Sequence, residues 1–128
     1  MANYQDKLPQ KINWKTLTDL EKLHLLDNKY FCMLPWTHIH AYPNGDAYPC
    51  CLADHKHPIG NMREQSIEEL WNNDAMKKLR SNMLKGTFSK QCVKCYEQEQ
   101  NGWTSMRKSA NMHFGHHIKE IHDTKPVS

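Results

Sequence analysis

Five cysteines, at positions 32, 50, 51, 92 and 95 of a 128-residue chain, constrain the fold more than any other feature. Cys92 and Cys95 form a CxxC pair, while Cys32 and Cys50 flank a turn signal, Pro43-Asn44-Gly45-Asp46. Asn-Gly is among the strongest short hairpin signals, because both residues tolerate positive φ. A hairpin at this point returns Cys50 to the level of Cys32, so two distant cysteines can share one metal. The four thiols therefore read as one soft-metal site of the kind that holds zinc or an iron–sulfur cluster. Strand alternation points Cys51 to the face opposite Cys50, so it is expected to be a small packed residue, buried and facing away, and not a ligand.

Hydrophobic residues make up 38% of the chain, so the core is modest and a metal staple would strengthen it. The length fits one domain, or one domain with tails. The net charge of +3 is mild, and lysines alternate with glutamates instead of forming a basic stripe, so no nucleic-acid partner is expected. No apolar run reaches membrane-spanning length, and no membrane association is expected. The opening MANYQDKLPQ lacks the apolar core of a secretory signal. With an odd cysteine count, this predicts reduced thiols in the cytoplasm and no disulfide framework.

The pattern predicts an α+β domain: a β-hairpin followed by short helices and a CxxC knuckle, stapled by metal and preceded by an N-terminal helix. Residues 1–30 read as an N-terminal extension, polar and poorly ordered at its start. The capping box Thr18-Asp19-Leu20-Glu21 opens a helix over 16–27 within it, with Leu20, Leu23, His24 and Leu26 at helical spacing. The hairpin runs from Phe31 to Leu52, and Asp54 to Gly60 reads as a loop. A second capping box at Ser66 to Glu69 opens a short helix carrying Ile67, Leu70 and Trp71. Asn73 caps a helix over 74–85, with Met76, Leu79, Arg80, Met83 and Leu84 in register and Gly86 as its stop. The CxxC leads into a turn of helix over Tyr96 to Gln100, and a further helix is expected over 104–112. The metal domain is placed at 31–114, with a C-terminal tail at 115–128.

Other chemistries fit less well. A thioredoxin-type CxxC opens a helix directly after a strand, whereas here a helix and the polar loop Thr87 to Gln91 precede it. Zinc ribbons usually carry two CxxC knuckles, and this chain has one. His38 and His40 share a strand face and His113, His116 and His117 cluster, but nine histidines make some proximity expected by chance. A Cys/His nucleophile pair has no cysteine to spare. Trp36 and Trp71 are expected in the core, and Arg107 and Asn111 on a solvated helix face.

The pattern Cys32-x12-Gly45-x4-Cys50, a gap, then Cys92-x2-Cys95 resembles the auxiliary-cluster region of radical SAM enzymes. That region is called the SPASM domain in its longer form and the twitch domain in its shorter one. The flanking residues agree: Phe31-Cys32-x-x-Pro35-Trp36, Pro49-Cys50-Cys51, Gly60-Asn61, Ser66-Ile67-x-Glu69-Leu70-Trp71-Asn72, Leu79-Arg80, Gly86 and Cys95-Tyr96-x-x-Glu99. The longer form supplies a second cluster from further cysteines, and none follows Cys95, so the resemblance is to the one-cluster twitch form.

The resemblance implies that Cys32, Cys50, Cys92 and Cys95 are the four ligands of one 4Fe–4S cluster. All four irons would then be protein-ligated, which favours electron transfer or a structural role over direct substrate coordination. The SAM-cleaving CxxxCxxC triad is missing, and no catalytic residues are assigned. The chain is thus expected to be a fragment or a stand-alone module, an accessory to a radical SAM barrel in cis or in trans, helping to place a peptide or protein substrate. The alternative is a zinc-stabilised protein-interaction module without redox activity.

Overall fold

The Asn44-Gly45 turn forms as the sequence predicts. In a computed structural model, which describes residues 15–123, Gly45 takes φ +93°, a conformation that L side chains rarely adopt. Its N–H donates to the Tyr42 carbonyl at 2.8 Å, and Asn44 Oδ1 accepts from Asp46 N–H at 3.0 Å. The turn joins β1 (His40–Ala41) to β2 (Asp46–Tyr48), antiparallel, with His40 opposite Tyr48 and Ala41 opposite Ala47.

The hairpin strands are shorter than the predicted span. Leu34, Pro35 and Trp36 form a 3₁₀ turn just after Cys32, where proline has no N–H to give to a ladder. A third strand, β3 (Gly60–Asn61), replaces the end of the expected loop and pairs antiparallel with β2, giving the order β1-β2-β3. Two residues are too few to show a period of two, which is why alternation could not reveal this strand. Gly60 lets Leu70 approach: a Cβ built there would lie 2.5 Å from Leu70 Cδ2.

Both capping boxes are present. Thr18 Oγ1 accepts from Glu21 N–H at 3.2 Å, and Ser66 Oγ accepts from Glu69 N–H at 3.1 Å. The first opens α1 (Asp19–Glu21), which continues as π-helical turns over Lys22–Asp27. The wider turns shift the buried face, so His24 and Leu25 are buried while Leu23 and Leu26 are exposed. The second box opens α2 (Ile67–Trp71).

In α3 (Asp74–Leu84), Asn73 Oδ1 caps Met76 N–H at 2.9 Å. Met76, Leu79 and Met83 form one buried stripe at helical spacing. Arg80 lies over the Trp71 ring at 5.0 Å and donates from Nε to the Pro35 carbonyl at 2.9 Å. The helix stops at Gly86, where Thr87 N–H reaches back to the Asn82 carbonyl. Trp36 and Trp71 are partly buried against the core, and Trp36 stacks on Phe31.

The chain then forms α4 (Val93–Gln100), α5 (Met106–Phe114) and, after a 3₁₀ turn, α6 (Ile118–Asp123). Ile118 and Ile121, in the segment read as a tail, are buried in the same core as Phe31, Met33, Leu70, Met76, Leu79 and Met83. The start of the N-terminal extension, residues 1–14, lies outside the described residues.

Candidate metal centre

The four cysteines arrive from three stretches of chain. Cys32 precedes the 3₁₀ turn over Leu34–Trp36, and Cys50 follows β2 after the buried Pro49. Cys92 closes a 3₁₀ turn over Lys90–Cys92, and Cys95 sits in the first turn of α4. The CxxC is thus built on a junction of two helical turns. Asp54 N–H donates to the Gln91 carbonyl at 2.9 Å, tying the turn after Cys50 to the segment before Cys92. Cys32, Cys50 and Cys95 are buried and Cys92 is half-buried, and all four are free thiols.

Burial is the main force on these thiols. It pushes Cys32 and Cys95 up, Cys50 to about 11 and Cys92 to about 12. Mutual repulsion adds to it: Cys32 senses Cys50, Cys92 and Cys95, and Cys50, Cys92 and Cys95 also sense one another. Opposing these effects, backbone N–H groups point at three of the sulfurs. Leu34 donates to Cys32 Sγ at 3.5 Å, Leu52 and Ala53 face Cys50, and Met106 and Arg107 at the start of α5 face Cys95. The Arg107 charge favours the thiolate at both Cys92 and Cys95.

This donor set fits a thiolate-bound metal group. Gathered thiols that resist ionisation alone, yet are surrounded by N–H donors and a guanidinium, are stabilised once a cation displaces their protons. Among the described residues, no three His, Cys, Asp or Glu side chains close on a single ion-sized point. The four thiols sense one another without forming such a closed group.

A family model for the SPASM iron–sulfur cluster-binding domain matches residues 32–96, just over half of the chain and a span containing all four cysteines. The chain belongs to the SPASM family. No curated protein and no solved structure matches it.

Around the SPASM segment, α5 contributes residues that pattern reading placed wrongly. Arg107 and Asn111, expected on a solvated face, are 6% and 2% exposed. Asn111 donates from Nδ2 to the Phe31 carbonyl at 2.9 Å and accepts from Met33 N–H at 2.9 Å, gripping the backbone on both sides of Cys32. Arg107 donates to the same Phe31 carbonyl at 3.0 Å and forms a two-point ion pair with Glu99 of α4. Burial alone would raise the Glu99 carboxyl, but hydrogen bonds from Arg107 and Ser105 hold it below the ordinary carboxylate range. Two polar residues four apart on a short helix look solvent-facing in one sequence. The available signal was their register: Arg107, Ala110, Asn111 and Phe114 recur at helical spacing, and Ala110 is buried between the two polar residues while Phe114 packs on the core.

Cys51 also departs from expectation: it is exposed, not packed. It follows Cys50 in a turn beyond the end of β2, so strand alternation does not govern its direction. The histidines are scattered among ring contacts. His38 and His40 rings lie 6.2 Å apart, and His55 Nε2 is 3.0 Å from the Tyr42 hydroxyl. Beside the SPASM centre a groove of about 810 Å³ opens between the π-helical turns, α4 and α5, lined by Leu25, Tyr30, Tyr96, Arg107 and Lys108. No helix among the described residues is long and apolar enough to cross a membrane.

Proposed function

We propose that Cys32, Cys50, Cys92 and Cys95 together ligate one 4Fe–4S cluster, and that the domain is an auxiliary redox module for a radical SAM barrel in cis or in trans. The observation that carries this reading is that four free thiols, three of them buried, all lie inside the family-matched span, with Cys32, Cys50 and Cys92 at one core. When bound, such a cluster supplies one-electron transfer, with its potential set by net charge, hydrogen bonds to sulfur and solvent exposure. With four cysteine ligands and no open iron, electron transfer fits better than substrate coordination.

The protein's own residues act on that role in opposing directions. N–H donors from Leu34, Leu52, Ala53, Met106 and Arg107 favour added negative charge at the sulfurs, whereas burial disfavours it. The groove beside α4 and α5, with Lys29 and Lys108 among its lining residues, suits placement of a peptide or protein substrate near the centre. No CxxxCxxC occurs in the chain, so SAM cleavage is assigned to the partner.

Anaerobic reconstitution followed by metal and sulfide analysis tests the reading. The expected result is about four irons and four sulfides per chain, with iron–sulfur charge-transfer absorption. Stoichiometric zinc without sulfide, in a colourless and air-stable protein, would overturn it in favour of a structural interaction module. Production of 5′-deoxyadenosine by the purified chain alone would overturn the auxiliary assignment.

A further inference from the structure

Helix α5 begins ten residues beyond the family-matched span, yet its two buried polar side chains are directed at the ligand-bearing backbone. We propose that the side chains of Arg107 and Asn111 are positioning elements for the metal centre, setting the separation of Cys32 and Cys95 through the backbone and the Glu99 carboxylate that they hold. The inference rests on the cluster-binding reading above and deepens it.

The geometry is a cross-brace. Asn111 uses both ends of its amide, one on the Phe31 carbonyl and one on the Met33 N–H, so residue 32 is held between two fixed peptides. A side chain 2% exposed, with both its amide nitrogen and its amide oxygen hydrogen-bonded, allows little rotation of the backbone it grips. Arg107 extends the brace to the other ligand segment. Its Nη1 donates to the Phe31 carbonyl at 3.0 Å and to the Asn28 carbonyl at 3.4 Å, while Nε and Nη2 engage Glu99. Glu99 stands one helical turn after Cys95 on α4, and its carboxylate also accepts from the Ser105 hydroxyl at 2.7 Å. Ser105 is the N-cap of α5, accepting from Lys108 N–H at 3.1 Å, so the same carboxylate fixes where α5 starts.

Phe31 is thus the shared node: one carbonyl accepts from both Arg107 and Asn111. The Cys32 loop and the Cys95 helix cannot separate without breaking charge-assisted or buried hydrogen bonds. Outer-shell partners of this kind orient ligands, and their loss commonly weakens metal retention by about 10–100-fold.

The test compares the full chain, reconstituted anaerobically, with Asn111→Ala, Arg107→Lys and a control, Leu70→Ala, in α2 of the core. Arg107→Lys keeps the charge but loses the fork that spans Glu99 and Phe31. Three quantities are read: thermal stability, the rate of iron transfer to a chelator well below the melting range, and the electron paramagnetic resonance spectrum of the reduced centre. The expected result is at least ~10-fold faster iron loss and altered g-values in both α5 variants. Leu70→Ala should be as destabilised thermally but keep the wild-type spectrum and release rate. Should Asn111→Ala fail to fold, Arg107→Lys carries the comparison. Wild-type spectrum and release rate in a folded, loaded α5 variant would overturn the positioning role. Absence of sulfide from the wild-type chain would instead overturn the cluster reading on which it rests.

Discussion

Replacing Gly45 by alanine should destabilise the protein through two separable effects. The first is conformational: φ is +93° at Gly45, and a left-handed L residue costs about 1–2 kcal/mol. The second is contact. An added Cβ would lie 2.5 Å from Asn61 Oδ1 and 3.1 Å from Arg63 Cγ, so the Asn61 side chain must move. That side chain accepts from Arg63 N–H at 2.8 Å and donates to Asp46 Oδ1 at 3.0 Å and to the Asn44 carbonyl at 3.3 Å. Losing one or two of these partly exposed bonds costs about 0.5–1.5 kcal/mol each. The total expected for Gly45→Ala is about 2–4 kcal/mol.

Gly102→Ala separates the two effects. Gly102 also has positive φ, +79°, but nothing lies within 4 Å of a Cβ built there. Its cost should be the conformational part alone, and the entropy lost by the unfolded chain is common to both substitutions. Guanidinium unfolding at equal metal loading, with slopes verified to be unchanged, measures the difference. Gly45→Ala should exceed Gly102→Ala by about 1–2 kcal/mol. Equal costs, within about 0.5 kcal/mol, would refute the claim that Asn61 locks the hairpin turn leading to Cys50.

Two further outcomes follow from the same structure. Cys51 is exposed while Cys32, Cys50 and Cys95 are buried, so brief alkylation of the loaded, folded chain should add one label at Cys51, and Cys51→Ser should leave metal content unchanged; mass spectrometry reads both, and labelling of Cys50 before Cys51 would contradict the placement. Glu99 has a folded pKa below its unfolded value, so its contribution to stability is complete above about pH 4.3 and is lost as pH falls through the lower folded value. Glu99→Gln should therefore show a shallower acid-side loss of stability than wild type in melts from pH 6 to pH 3, and parallel curves would refute the pairing with Arg107.

The residues alone determined the local parts of this protein. Thr18, Ser66 and Asn73 each accept from the helix backbone in the manner their spacing implies, because caps are made within a single turn. Asn44-Gly45 produced its hairpin for the same reason, since the turn chemistry lies in adjacent residues. The four cysteine positions, with their flanking residues, also carried the family, later found by the match over residues 32–96.

What needed the tertiary structure was everything decided by partners distant in sequence. β3 exists because Gly60 and Asn61 find β2, not because two residues have a strand pattern. The turns over Lys22–Asp27 widened to π, and the face facing the core shifted with them. Cys51 left the strand before alternation could bury it. Arg107 and Asn111 became a buried brace on residues some eighty positions earlier, whose free carbonyl and N–H groups no sequence period announces. Local hydrogen bonds are written in neighbouring side chains, whereas the surroundings of the four thiols depend on which distant backbone groups are left to satisfy.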